Sequence, residues 1–168
     1  KEAFYIARSG RPGPVHVDIP KDITAAVGDF LYPTEIKMPT YKPTYKGNAK
    51  QIKKALEVIA EAKRPLLYLG GGVVAANASE LVRKFSAKTG IPAVETLMGL
   101  GVLAHEDKNL LSMVGMHGSY AANMAMSETD LIIALGVRFD DRVTGKLSEF
   151  AKHAKIIHVD IDPSSISK

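Results

Sequence analysis

The sequence of 168 residues contains no cysteine and no tryptophan, and aromatic residues make up only 7% of it. The absence of cysteine excludes a disulfide framework and thiolate metal sites. No apolar run approaches the roughly 20 residues that a membrane-spanning helix needs, and no signal-peptide pattern opens the chain. We therefore expect a soluble protein of the cytoplasm, or of a plastid or mitochondrion if the source is a eukaryote, with no membrane partner.

The net charge is also small, at +4, because 22 basic residues are nearly balanced by 18 acidic ones. The largest basic group (Lys46, Lys50, Lys53 and Lys54) lies near the start of one predicted helix. Few aromatic residues are interleaved with it, which is typical of a solvated helix face rather than of a nucleic-acid interface. With 46% hydrophobic residues, the chain is long enough to build a domain with a proper core.

Motifs of self-contained catalysis are missing as well. We find no nucleophile elbow, no P-loop and no paired acid and base. Gly70-Gly71-Gly72 does not match the G-x-G-x-x-G dinucleotide fingerprint. No second histidine or carboxylate lies at ligand spacing from His117, so no metal site is predicted. The sequence indicates a binding domain without its own reactive centre.

Strand and helix patterns alternate from residue 48 onward. Apolar runs predict strands at residues 66–69, 92–96, 111–114, 130–135 and 155–161. Asn48 is predicted to cap an amphipathic helix before the first of these strands, and Gly90 is predicted to end another helix between the first two. The alternation predicts an α/β fold with a doubly wound parallel sheet.

The chain divides into three predicted segments. Residues 1–22 indicate the last helix and a short strand, Val15–Ile19, of a preceding domain. Residues 23–47 carry scattered prolines and no sustained period, which predicts an irregular linker. Residues 48–168 form the α/β domain. Because the chain lacks an initiator Met and stops soon after a strand, we expect a fragment of a longer polypeptide.

Glycine-bearing turns follow three of the predicted strands, at residues 70–72, at residues 115–118 and at Gly136. In an open α/β sheet, ligands bind beyond the carboxyl ends of the strands, and glycine lets backbone N–H groups approach a phosphate. Short turns between strand and helix also use glycine without any ligand. The convergence of three such turns on one edge favours a nucleotide-like ligand.

The most informative stretch is Gly136–Gly145, with the sequence GVRFDDRVTG. Arg138 and Arg142 can clamp anionic groups bidentately, unless the two aspartates between them neutralise the pair. Further along, Asp160 ends the last predicted strand. It either accepts hydrogen bonds from ribose hydroxyls or caps a helix beside Pro163.

These motifs resemble the large catalytic subunits of acetolactate synthases, also called acetohydroxyacid synthases. The resemblance covers essentially the whole chain, and its specific parts are SGRPGPV (Ser9–Val15) with DIPKD (Asp18–Asp22), GMHG (Gly115–Gly118), the Gly136–Gly145 stretch and HVDIDP (His158–Pro163). The resemblance implies that residues 1–22 end a pyrimidine-binding domain. It also implies that residues 48–168 are a Rossmann-like, six-stranded central domain that holds FAD.

The resemblance also implies site residues. The residues expected along FAD are Arg11, Gly70, Gly71, Gly72, Thr96, Leu97, Met98, Gly115, Met116, His117, Gly136, Arg138, Asp140, Arg142, Val143, Asp160 and Ile161. Those expected to line a substrate channel are Lys21, Met116, Asp141 and Arg142, with Arg142 holding the carboxylate of a second 2-oxo acid. No catalytic residue is expected within the chain.

The implied parent enzyme uses thiamine diphosphate and Mg²⁺ to decarboxylate pyruvate. It then joins the product to pyruvate or 2-oxobutanoate, in branched-chain amino-acid biosynthesis. FAD undergoes no net redox change in that cycle. The resemblance places the groups that bind and activate thiamine diphosphate outside this sequence, so we expect the chain alone to be inactive. A homodimer or homotetramer and a small regulatory subunit are the implied partners.

Three other interpretations remain open at this point. The chain could belong to another thiamine-diphosphate carboligase or decarboxylase, although the Asp140-Asp141-Arg142 stretch argues against a decarboxylase. It could be a regulatory module that binds NAD or ADP. A purely structural domain would leave the charged stretch and the three converging turns unexplained.

Overall fold

The computed structural model describes residues 1–166. The chain forms two compact units, Lys1–Lys46 and Gly47–Lys168. The first unit contains helices α1 (Glu2–Arg8) and α2 (Lys21–Ala25). Val15–Ile19, which the alternating pattern predicts as a strand, belongs to no strand. That prediction is wrong because a strand needs a hydrogen-bonded neighbour, and no strand of the described residues pairs with this segment.

The segment after α2, predicted as a linker, is ordered within the first unit by its tyrosines. The Tyr41 hydroxyl donates to the carbonyl oxygen of Ser9 over 3.1 Å, and the Tyr41 ring meets that of Tyr5 edge to face. The backbone N–H of Gly10 donates to the Tyr45 hydroxyl over 2.7 Å. The assignment of residues 1–22 to a pyrimidine-binding domain stays a prediction.

The second unit contains one parallel sheet. Its strands are β1 (Pro65–Leu69), β2 (Ala93–Glu95), β3 (Leu110–Met113), β4 (Leu131–Leu135) and β5 (Lys155–Val159), in the spatial order β3-β2-β1-β4-β5. All neighbouring pairs are parallel. The expected six strands are not found, because each of the five apolar runs supplies one strand and the described residues contain no sixth.

Among the described residues, the second unit also contains five helices and two 3₁₀ turns. The helices are α3 (Ala49–Glu61), α4 (Gly71–Ala75), α5 (Ser79–Thr89), α6 (Tyr120–Glu128) and α7 (Asp141–Thr144), and the 3₁₀ turns are Leu97–Gly99 and Pro163–Ser165. Helix α3 precedes β1, and the last 3₁₀ turn follows β5. The Asn48 side chain accepts from the N–H groups of Lys50 and Gln51, so the predicted cap of α3 is confirmed. Gly90 ends α5 at φ +69°, also as predicted.

The core lies on both faces of the sheet. Successive residues of β1 alternate, so that Leu66 and Tyr68 join one buried cluster with α6. Leu67 and Leu69 join the other, with α5. Burial on both faces explains why the strands are continuous apolar runs, and it confirms the doubly wound parallel α/β class. No helix among the described residues is long and apolar enough to cross a membrane.

Candidate functional site

The strand order places a topological switch point at β1 and β4, where the connections leave for opposite sides of the sheet. Two of the predicted glycine turns meet there. The N–H of Gly70 donates to the Leu135 carbonyl oxygen over 3.0 Å, and the N–H of Gly72 donates to the Gly136 carbonyl oxygen over 3.0 Å. The crevice beyond such a point is where open α/β sheets bind ligands.

The glycines of these two turns are required by the way the turns pack on each other. A Cβ added to Gly70 would lie 2.2 Å from the Gly136 carbonyl oxygen. One added to Gly136, whose φ is +59°, would lie 2.5 Å from the Cα of Gly72. The fold therefore accounts for glycine at these positions, and the glycines alone do not indicate a ligand.

The third glycine turn follows β3, at the far edge of the sheet, and α7 reaches it. The N–H of Met116 donates to the Arg142 carbonyl oxygen over 2.9 Å. Gly115 adopts φ +114°, and a Cβ there would lie 2.9 Å from the same oxygen. The Gly115–Gly118 turn and the charged stretch are thus in direct contact, which local sequence patterns do not predict.

The charged stretch is only loosely neutralised by its own aspartates. The closest side-chain N···O distance is 3.4 Å between Arg138 and Asp140, and 3.9 Å between Arg142 and Asp141. The side chains of Arg138 and Arg142 remain 56% and 75% exposed. Exposed pairs at these distances contribute little, so both guanidinium groups are accessible to an anion.

Asp140 has a second task, because its Oδ1 accepts from the N–H of Arg142 over 3.2 Å and caps α7. This hydrogen bond lowers the pKa of Asp140 below its ordinary value of 3.8. A side-chain hydrogen bond with Asp141 and the charges of Arg138 and Arg142 act in the same direction. Asp140 therefore orders the stretch as well as carrying charge.

Because the folded state lowers this pKa, ionised Asp140 stabilises the folded unit at neutral pH. That contribution is lost as the pH falls from the ordinary aspartate range through the folded-state pKa. We expect wild type to be more stable than Asp140→Asn at pH 7, with the difference shrinking as the solution is acidified below about pH 4. Urea unfolding of both proteins at several pH values measures this. A difference that does not change with pH would contradict it.

Phe139, within the same stretch, packs its side chain among other aromatic rings. It adopts φ +51°, and its ring meets those of Tyr68, Phe150 and His158 edge to face, at centroid distances of 5.6, 6.2 and 5.0 Å. The His158 Nε2 donates to the Val137 carbonyl oxygen over 2.8 Å. Sequence reasoning missed this aromatic cluster, because its members come from three separate segments.

The end of β2 adds apolar surface near the switch point. The Thr96 hydroxyl accepts from the N–H of Gly99 over 3.1 Å and caps the 3₁₀ turn that follows. Leu97 and Met98 in that turn are 70% and 75% exposed. A Cβ added to Gly71 would lie 3.0 Å from the Met98 Cβ, so this turn lies against the β1 turn.

Asp160 follows β5 and does not cap the helical turn at Pro163. Its Oδ1 accepts from the N–H of Asp162 over 2.8 Å, whereas Asp162 accepts from the N–H of Ser164 and caps the turn. The capping alternative for Asp160 is therefore wrong, since the cap must directly precede the first helical residue. The ribose alternative stays a prediction.

The predicted site residues thus fall into two groups. Those at the carboxyl edge of the sheet in the second unit are Gly70, Gly71, Gly72, Thr96, Leu97, Met98, Gly115, Met116, His117, Gly136, Arg138, Asp140, Asp141, Arg142, Val143, Asp160 and Ile161. Arg11 and Lys21 belong to the first unit, and their participation stays a prediction. Among the described residues, no three His, Cys, Asp or Glu side chains are grouped so as to hold a metal ion.

The order of the strands and the residues at the carboxyl edge of the sheet together define a doubly wound α/β domain, with a polar, glycine-lined switch point. Comparison with known families is consistent with that class, because residues 52–168 match the model described as "Thiamine pyrophosphate enzyme, central domain". The chain belongs to this family.

Comparison with individual proteins confirms the resemblance that the sequence motifs indicate. The whole chain is 49% identical to the acetolactate synthase large subunit of Buchnera aphidicola (subsp. Schizaphis graminum), and 99% of it is 52% identical to that of Corynebacterium glutamicum. It covers 30% and 27% of those two proteins. The chain is therefore homologous to acetolactate synthase large subunits and spans less than a third of their length.

Proposed function

We propose that this chain is the central part of an acetolactate synthase large subunit and that its second unit binds FAD along the carboxyl edge of the sheet. The observation that carries the proposal is the hydrogen bond from Met116 N–H to the Arg142 carbonyl oxygen. It joins the turn after β3 to the charged stretch after β4. Cationic, apolar and glycine-lined segments thereby share one edge, as a large dinucleotide requires.

The residues at this edge fit the parts of FAD. The accessible guanidinium group of Arg138 suits a diphosphate, and that of Arg142, on the neighbouring helix α7, is left for a second anionic group. Met98 and Met116, 75% and 62% exposed, offer polarizable apolar surface to a planar ring. Half-buried Asp160 offers a carboxylate to ribose hydroxyls.

In the parent enzyme we propose the condensation of pyruvate with a second pyruvate or with 2-oxobutanoate. Thiamine diphosphate with Mg²⁺ supplies the carbanion chemistry of that reaction, and FAD supplies structure without net redox change. Within this chain, Arg142 holds the carboxylate of the second 2-oxo acid, and Met116 and Asp141 line its path. Homo-oligomers and a small regulatory subunit are the partners that we propose for the full-length enzyme in the cytoplasm.

The proposal is tested by calorimetric titration of the chain with FAD, with NAD in a parallel titration. We expect saturable FAD binding that Arg138→Ala weakens by about tenfold or more, because a charge-assisted contact to phosphate is lost. NAD binding without FAD binding would overturn the proposal in favour of a regulatory module.

Arg64→Ala is the matched control for this experiment. Arg64 pairs with Glu128 over 3.4 Å, the same distance as the Arg138–Asp140 pair, and its side chain is 64% exposed. It lies directly before β1, at the amino edge of the sheet. FAD affinity should equal that of wild type in this variant. Equal loss in both variants would indicate a nonspecific charge effect and contradict the assigned site.

A further inference from the structure

Asn123 of α6 makes a closed pair of hydrogen bonds with the backbone of Gly115. Its Oδ1 accepts from the Gly115 N–H over 2.9 Å, and its Nδ2 donates to the Gly115 carbonyl oxygen over 3.0 Å. Both halves of one half-buried amide are therefore used on a single residue of the turn after β3. A side chain committed in this way defines the orientation of that backbone.

The Gly115 carbonyl belongs to the same planar peptide unit as the N–H of Met116. That N–H donates to the Arg142 carbonyl oxygen over 2.9 Å. The Asn123 side chain binds the carbonyl oxygen of this peptide unit, and the N–H of the same unit binds α7. Gly115 itself is at φ +114°, and because glycine has wide backbone freedom, other contacts must determine its orientation.

We propose that Asn123 is a positioning residue of the cofactor edge: it sets the Gly115–Met116 peptide plane and thereby keeps Met116 beside Arg142. It acts through backbone atoms and without contacting the ligand. The inference rests on the proposed function for its effect on binding, but the orientation of the peptide plane is testable without any ligand.

Asn123→Asp is the informative substitution. It keeps the size of the side chain and the acceptor for the Gly115 N–H, but it replaces the donor with an oxygen that faces the Gly115 carbonyl oxygen. We expect the dissociation constant for FAD to rise by about tenfold, the usual consequence of leaving one such group unsatisfied. Asn123→Ala, which removes both bonds, should give at least the same loss.

Asn109→Ala is the matched control for a purely structural effect. Asn109 is also half-buried, and its Nδ2 donates to the carbonyl and hydroxyl oxygens of Ser86, each over 3.1 Å. It directly precedes β3, so it lies at the opposite end of the strand from Gly115. We expect a similar loss of thermal stability in this variant with the FAD affinity of wild type.

The second readout is amide hydrogen exchange of Met116 and Gly115 in the ligand-free chain, followed by NMR. We expect faster exchange at Met116 in Asn123→Asp, faster exchange at both amides in Asn123→Ala, and wild-type exchange in Asn109→Ala. Unchanged exchange in Asn123→Asp would overturn the inference, and so would equal loss of FAD affinity in the Asn109 control. If wild type itself binds no FAD, the proposed function fails for this chain, and the exchange rates alone decide the role of Asn123.

Discussion

Gly136→Ala is expected to lower the free energy of unfolding of the second unit by about 4 kcal/mol or to prevent its folding, since a steric clash in a packed turn adds to backbone strain. The new Cβ would lie 2.5 Å from the Cα of Gly72, and that atom is backbone, so no rotamer change relieves the clash. The residue also sits at φ +59°. Denaturant unfolding followed by circular dichroism measures the change.

Gly90→Ala separates the two contributions. Gly90 has a similar φ of +69°, but nothing lies within 4 Å of the added Cβ. We expect a loss of only about 1 kcal/mol, the cost of a left-handed conformation for alanine. If the two variants lose the same stability, the interlocking of the β1 and β4 turns does not determine glycine at residue 136.

The second large effect is expected at Glu95, a carboxylate only 1% exposed at the end of β2. Its Oε1 accepts from the N–H of Leu103 over 2.8 Å, and its Oε2 accepts from that of Gly101 over 3.2 Å. Glu95→Ala leaves both donors without this acceptor and is expected to cost about 3 kcal/mol of unfolding free energy. Thermal and urea unfolding measure the loss.

Asp107→Ala serves as the comparison. Asp107 is half-buried and accepts from one backbone N–H, that of Asn109, over 2.9 Å. Because it holds one donor in a more accessible loop, its loss should cost about 1 kcal/mol. A Glu95 variant as stable as the Asp107 variant would show that the loop at residues 101–103 is held by its other contacts, such as the hydrogen bonds from Arg83.

Glu95 also shows where sequence reasoning stopped. The segment Pro92–Thr96 carries one carboxylate in a short apolar run, and alternation alone predicts neither its burial nor its partners. The N–H groups that donate to its carboxylate belong to Gly101 and Leu103, six and eight residues later in the chain, in a loop without regular secondary structure. The same holds for Asn123, an ordinary polar residue of α6 until its contact with Gly115 is seen.

Some of the candidate site was nevertheless accessible from sequence. Parallel strands end at a common edge, so the residues that follow each apolar run could be assigned to one side of the sheet in advance. The predicted strand at Val15–Ile19 failed for the opposite reason. Alternation describes a side-chain pattern, whereas a strand exists only where another strand supplies hydrogen bonds.

The sequence by itself determined the local features: the apolar runs that became β1 and β4, the cap at Asn48, the left-handed end at Gly90 and the charged stretch after Leu135. Each depends on residues within one or two turns of chain, whose preferences are additive and local. Only the tertiary structure decided that Gly136 interlocks with Gly70 and Gly72 and that α7 meets the Gly115 turn. These contacts depend on which distant strands become neighbours, and that choice is made by burial of the whole core.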